Sequence, residues 1–213
     1  SAASDVYKRQ IIYTEVMFSK EISGELPEHT RFIYETAIPY FEKHGIHTRV
    51  LHAEKTYLDC FYHVVSRGNA QGKLAAFPLA GRCAIQRDCK VPPLEAYKES
   101  LPPGTVSYLG IAADEPIRLE RLKPDQVSLM AKYGVTEQDA FAMCRQEGLL
   151  SPLYEHSHRG GCWFCPNASM TELRHLYRAH PDLWQLMLEL QDTPNKATER
   201  FNQNFKFAEL DLR

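Results

Sequence analysis

Long apolar runs are missing from this chain. Nowhere do its 213 residues approach the roughly 18 consecutive apolar side chains of a membrane-spanning helix, so no membrane partner is expected. Charge of one sign is scarce too: 25 Lys and Arg stand against 27 Asp and Glu, a net charge of -2. That balance gives no general electrostatic grip on a polyanion, and a nucleic-acid partner would need a local basic patch that composition does not indicate. No internal repeat is present, and no signal-peptide-like stretch precedes the six cysteines. A chain of this size does not need disulfide staples, so reduced thiols and a cytoplasmic location are the expectation. An initiator Met is also absent, and a polar leader, residues 1–10, runs straight into an apolar stretch. The sequence is therefore expected to be a fragment lacking an N-terminal portion.

What is present is the composition of an ordinary globular protein, 44% hydrophobic and 24% charged, enough for one substantial core. Within it, Gly160-Gly161-Cys162-Trp163-Phe164-Cys165-Pro166 forms a Cys-x-x-Cys turn bounded by glycines and a proline. Two thiolates at this spacing face one side of a tight turn, where one metal ion or cluster iron takes both. The expected other half is Cys83 and Cys89, in a segment with Arg82, Arg87 and Lys90. Four thiolates suit a four-iron four-sulfur cluster or a structural zinc, and spacing does not separate the two. A rival set of Cys162, Cys165, His175 and His180 has the order of a zinc finger, but the gap between Cys165 and His175 is short. Cys60 and Cys144, in apolar helical contexts, read as core residues.

Along the chain, residues 11–16 read as a buried strand, and a helix follows from Glu28 to His44, with Phe32, Ile33, Ala37, Tyr40 and Phe41 on one face and a kink at Pro39. A second strand spans residues 46–51 and a second helix residues 57–65, the rhythm of a parallel α/β sheet. Residues 67–90 read as loop, and Pro92 and Pro93 as the start of a short helix. Residues 105–111 look like the clearest strand, with Asp114, Glu115 and Arg118 just beyond its carboxyl end. Thr136 and Asp139 signal a helix start, and residues 170–178 and 181–190 are amphipathic helices. The predicted division is an α/β domain over residues 11–150, the cysteine turn with C-terminal helices over 151–192, and a loosely attached polar tail over 193–213.

In this order, Gly24-Glu25-Leu26-Pro27-Glu28, Lys90-Val91-Pro92-Pro93-Leu94, the run from Gly110 to Arg118, and Gly161-Cys162-Trp163-Phe164-Cys165-Pro166 resemble the phosphoadenosine phosphosulfate reductase family, within the adenine-nucleotide α-hydrolase-like ATP pyrophosphatases. The resemblance implies a parallel sheet flanked by helices, holding ATP with magnesium or adenylyl sulfate at its strand ends. It implies reduction of an adenylylated sulfur compound or ATP-driven sulfur transfer, with an electron donor or sulfur acceptor as partner. It also favours the iron-sulfur cluster over zinc for Cys83, Cys89, Cys162 and Cys165. Two departures stand out: the family's Ser-Gly-Gly-Lys-Asp-Ser phosphate loop occurs nowhere in the chain, so poor nucleotide binding is expected, and the tail lacks the reductases' nucleophilic cysteine.

Strand-end placement makes Asp114 and Glu115 candidates for magnesium or a ribose hydroxyl, and Arg118 for phosphate or sulfate. Arg82, Arg87 and Lys90 are candidates for neutralising thiolate or anionic substrate. His156 and His158, next to the cysteine turn, are candidate hydrogen-bond donors to the thiolates or proton carriers. No catalytic residue is assigned.

Overall fold

The first strand, β1 (Gln10–Thr14), pairs in parallel with β2 (His47–Leu51), from Gln10 opposite His47 to Thr14 opposite Leu51. Parallel neighbours need a crossover. Here it is a continuous helical run: α1 (Pro27–Phe32), a π-turn over Ile33–Ala37, and α2 (Ile38–Lys43). Pro39 lacks an N–H and would crowd the carbonyl four residues back. The chain answers by widening one turn, so that the Ile38 N–H donates to the Ile33 carbonyl. Past α2, Gly45 takes a φ of 71°, and the Gly45 and Ile46 N–H groups close back onto the Glu42 and Phe41 carbonyls. A glycine is suited to this left-handed stop.

This is a computed structural model, and it describes residues 9–78, 83–157, 159–202 and 204–210. The chain forms two compact units, one from the residues up to Ala96 together with those from Pro152 onward, the other from Tyr97 to Ser151. Mixed helix with two short parallel strand pairs among the described residues is compatible with the predicted α/β class. The division differs from the predicted one, because the cysteine turn and C-terminal helices share a unit with β1 and β2.

In the first unit, Thr56 and Asp59 cap α3 (Tyr57–Phe61) reciprocally. The predicted helix over residues 57–65 stops early because its last residues pair elsewhere: Ala75 N–H bonds the His63 carbonyl, and Ala76 N–H the Phe61 carbonyl. The predicted loop is helical at its end. A π-turn over Gln86–Lys90 leads into α4 (Val91–Glu99), inside which the unit boundary falls. Pro92 and Pro93 therefore lie within a helix rather than opening one, and the same device accommodates them, Val91 N–H donating to the Gln86 carbonyl.

The second unit holds β3 (Ser107–Tyr108), α5 (Pro116–Leu119), β4 (Gln126–Val127), α6 (Leu129–Lys132) and α7 (Glu137–Gln146). The run expected to be the clearest strand keeps only two residues in its parallel pair with β4. Tyr108, within that pair, is 63% exposed. Thr136 and Asp139 do form the capping box that starts α7.

Back in the first unit, α8 (Met170–Ala179) is capped by Ser169 and Glu172, and α9 (Pro181–Asp192) follows at once. The tail expected to hang loosely is part of the core: Phe201 and Phe207 are fully buried, and Phe207 packs on Trp184 with ring centroids 4.1 Å apart. Lys196, buried as well, donates to the Gln191 carbonyl at 2.7 Å and to that of Thr193. A cation at the end of α9 also suits the helix dipole. None of the helices among the described residues is long and apolar enough to cross a membrane.

Candidate metal centre and strand-end site

The cysteine turn is held by its own aromatic residues. Trp163 and Phe164 are buried, and their rings meet Phe18 and Tyr57; the closest pair, Tyr57 and Phe164, has centroids 4.2 Å apart. Trp163 donates its backbone N–H to the Gly24 carbonyl and its indole Nε1–H to the Ser23 carbonyl, both at 2.9 Å. Gly24 is required by this contact, since a Cβ there would lie 2.5 Å from the Val16 carbonyl oxygen and 3.1 Å from the Phe164 ring. Residues 16–24 form the loop leaving the carboxyl end of β1, so the Cys-x-x-Cys turn docks at the strand end. Cys165 N–H bonds the Cys162 carbonyl at 2.9 Å and closes the turn, while Arg159 Nη2 donates to Cys165 Sγ at 3.5 Å.

Other thiols collect on the same core. Cys89 is buried in it, and Cys60, Cys83 and Cys162 pack against it. Burial pushes the Tyr57 phenol up, and the neighbouring thiols of Cys83, Cys162 and Cys60 add to the effect. Cys162 is itself raised, by burial and by the charges of Glu25 and Cys165, while Lys90 opposes. The Cys60 and Cys89 sulfurs are 3.6 Å apart. Their hydrogen bond favours ionisation at Cys60 and, with burial, raises Cys89. Cys60, expected to be only a core residue, is thus a neighbour of a predicted ligand. Cys144 lies in α7, in the other unit.

Among the described residues, no cysteine belongs to a set of three ligand atoms lying within 4.8 Å of one another. A preformed cage for a single ion is therefore not what the thiols make. The zinc-finger-like alternative is not assembled either: the set that brings His175 and His180 together includes Glu28, at 2.9 and 3.0 Å, and no cysteine.

No family model, curated protein or solved structure matches the chain. The geometry of the molecule is thus what bears on its chemistry.

At the ends of the two long strands lies a polar network that sequence reasoning missed. Glu15, one residue past β1 and 5% exposed, accepts from Ser23 Oγ at 2.6 Å and Tyr34 Oη at 2.7 Å, and lies 2.9 Å from His52 Nε2, just past β2. Burial raises the Glu15 carboxyl, but these bonds and the His52 charge outweigh it and hold the group below its ordinary value. Nearby, burial raises Glu25, with Lys90 opposing. A groove of about 690 Å³ runs alongside, lined by Ser23, Glu25, Tyr34, Glu35, Arg31 and Asp182, among others. The signal that was available is position: Glu15 and His52 directly follow strands, where ligands of α/β sheets collect.

The predicted substrate- and nucleotide-binding residues fall in both units, Asp114, Glu115 and Arg118 in the second and Arg87 and Lys90 in the first. Asp114 accepts from the Glu137 N–H at 3.1 Å, and Glu115 binds Arg118 at 2.5 Å and the Ala112 N–H at 3.0 Å, all within the second unit. These groups satisfy local backbone and one another. In the first unit, Arg87 pairs with adjacent Asp88 at 2.6 Å on the surface. Lys90 is the member placed beside the thiols and Glu25. Arg82 and His158 lie outside the described residues. His156 stacks on His175, with centroids 4.0 Å apart, and both border a small cavity of about 20 Å³ that Cys162 also lines.

Proposed function

We propose that this chain is a phosphoadenosine phosphosulfate reductase-like protein with an adenine-nucleotide α-hydrolase-like sheet. Its chemistry would be the reduction of an adenylylated sulfur compound or ATP-driven sulfur transfer, next to a cysteine-bound centre. One observation carries the reading: the Cys-x-x-Cys turn is hydrogen-bonded to the loop leaving β1, so thiols gather at the carboxyl end of a parallel strand pair. In α/β proteins that end is where nucleotides bind.

The donor set fits an iron-sulfur cluster better than a lone ion. Thiols come from separate segments, spread more widely than a single-ion cage, beside buried aromatic rings that limit water. Cys83, Cys89, Cys162 and Cys165 would hold the cluster, which when bound supplies electron or sulfur relay. Lys90 offsets thiolate charge at Cys162, and Arg159 does so at Cys165. Glu15, tied to Tyr34 and His52, fixes the Ser23 hydroxyl at the start of the docking segment.

A non-catalytic, zinc-stabilised nucleotide- or nucleic-acid-binding module is the second reading, and the internal pairing of Asp114, Glu115 and Arg118, which leaves them no evident catalytic task, favours it. Iron, zinc and acid-labile sulfide measured on anaerobically purified protein separate the two. About four iron and four sulfide per chain, lost in Cys89→Ser and in Cys162→Ser, support the cluster. Zinc without iron or sulfide, lost in Cys162→Ser, overturns it in favour of the module. Metal lost in Cys162→Ser but unchanged in Cys83→Ser and Cys89→Ser overturns the four-cysteine set. A protein that holds the cluster yet neither consumes adenylyl sulfate nor transfers sulfur with ATP overturns the proposed chemistry.

A further inference from the structure

Glu28, His175 and His180 come from three places in the first unit: the first turn of α1, the middle of α8, and the joint between α8 and α9. Their ligand atoms all lie within 4.8 Å of one another, with Glu28 Oε1 2.9 Å from His175 Nε2 and Glu28 Oε2 3.0 Å from His180 Nε2. The side chains are mostly buried, at 23%, 17% and 15% exposure. An ordinary ion-pair cluster would pair its nitrogens fully. His180 Nε2 does not: it is buried and lies 3.0 Å from Glu28 Oε2, yet makes no contact with hydrogen-bond geometry. A buried ring nitrogen in that state has a lone pair open to another ligand.

We propose that Glu28, His175 and His180 form a binding site for a divalent transition-metal ion, zinc being the natural occupant. Two imidazoles and one carboxylate are the ligand set of open zinc sites, in which a fourth position takes water. With metal–ligand bonds of about 2.1 Å in a tetrahedron, neighbouring ligand atoms sit roughly 3.4 Å apart. Each imidazole here faces a different oxygen of the Glu28 carboxylate, at 2.9 and 3.0 Å, and the three residues offer one ligand atom apiece within 4.8 Å of one another. Both histidines bind as neutral rings, so loading releases whatever proton they share with Glu28. Stacking of His156 on His175 fixes that ring's orientation, a task often performed by groups behind a metal-bound imidazole. The site contains no cysteine and stands independently of the proposed cluster.

Cobalt is the spectroscopic probe, because nitrogen and oxygen ligation gives d–d absorption without the sulfur-to-cobalt charge-transfer bands of thiolate ligation. The chelator-stripped full chain is titrated with Co²⁺ and then Zn²⁺, alongside Glu28→Gln, His175→Gln and His180→Gln. The expected result is one non-thiolate cobalt per native chain, displaced by zinc, with affinity at least tenfold weaker in each variant. Equal stoichiometry and spectra in native and variant proteins overturn the site. Should the variants fail to fold, the native chain suffices. Zinc should then slow diethylpyrocarbonate modification of His175 and His180 several-fold, while His44 and His47, outside the site, react unchanged. Undiminished modification of His175 and His180 overturns the proposal equally.

Discussion

The indole N–H of Trp163 donates to the Ser23 carbonyl at 2.9 Å, joining residues 140 apart in the chain. With the Trp163 backbone bond to Gly24, it fixes the cysteine turn on the end of β1. Trp163→Phe keeps most of the ring packing against Phe18 but leaves the Ser23 carbonyl without this donor. The expected loss is about 1–3 kcal/mol in urea unfolding, accompanied by weaker metal retention. Unchanged stability and metal content would mean that the bond does not hold the turn.

Gly24 is the other side of this joint. Gly24→Ala sets a methyl against the Val16 carbonyl and the Phe164 ring, and neither rigid backbone nor a fully packed ring yields easily. Overpacking of this kind costs about 1–3 kcal/mol. Thermal unfolding should fall by several degrees, whereas Gly45→Ala should act through backbone strain alone, since nothing lies within reach of its added methyl.

Acid should weaken the strand-end network. A carboxyl such as Glu15, lower in the folded than in the unfolded state, contributes stability that is fully present above the unfolded value of about 4.3. It is lost as pH falls through the folded value. Glu15→Gln should therefore lower the denaturation midpoint near neutral pH, and the curves of native and variant protein should converge on acidification. Parallel curves at all pH values would show that Glu15 is not the titrating group.

Thiol reactivity should separate the cysteines. In reduced, metal-free protein near neutral pH, Cys60 should be alkylated at least tenfold faster than Cys89 or Cys162. The hydrogen bond between Cys60 and Cys89 favours a thiolate at Cys60, whereas burial raises the other two. Peptide mass mapping reads the order directly. Cys89 or Cys162 reacting first would contradict the arrangement.

Local signals in the sequence were sufficient for several elements. The strands at residues 10–14 and 47–51, the helix between them, the capped start of α7 and the paired C-terminal helices follow from periodicity, capping residues and breakers. The turn carrying Cys162 and Cys165, closed by the Cys165 N–H on the Cys162 carbonyl, is equally local. What the sequence could not specify were outcomes decided by competition between distant groups. Residues 63–65 left the helical pattern for backbone partners among residues 72–75, and the strand expected over residues 105–111 shrank to the two residues that found a neighbour. The polar tail entered the core because two phenylalanines outweighed its average composition. The same holds for the sites. No spacing rule links Cys60 to Cys89, Glu15 to Tyr34 and His52, or Glu28 to His175 and His180. Each set is adjacent only after the crossover and the helical joint are packed, because side-chain proximity across long loops is a property of the folded core rather than of any stretch of chain.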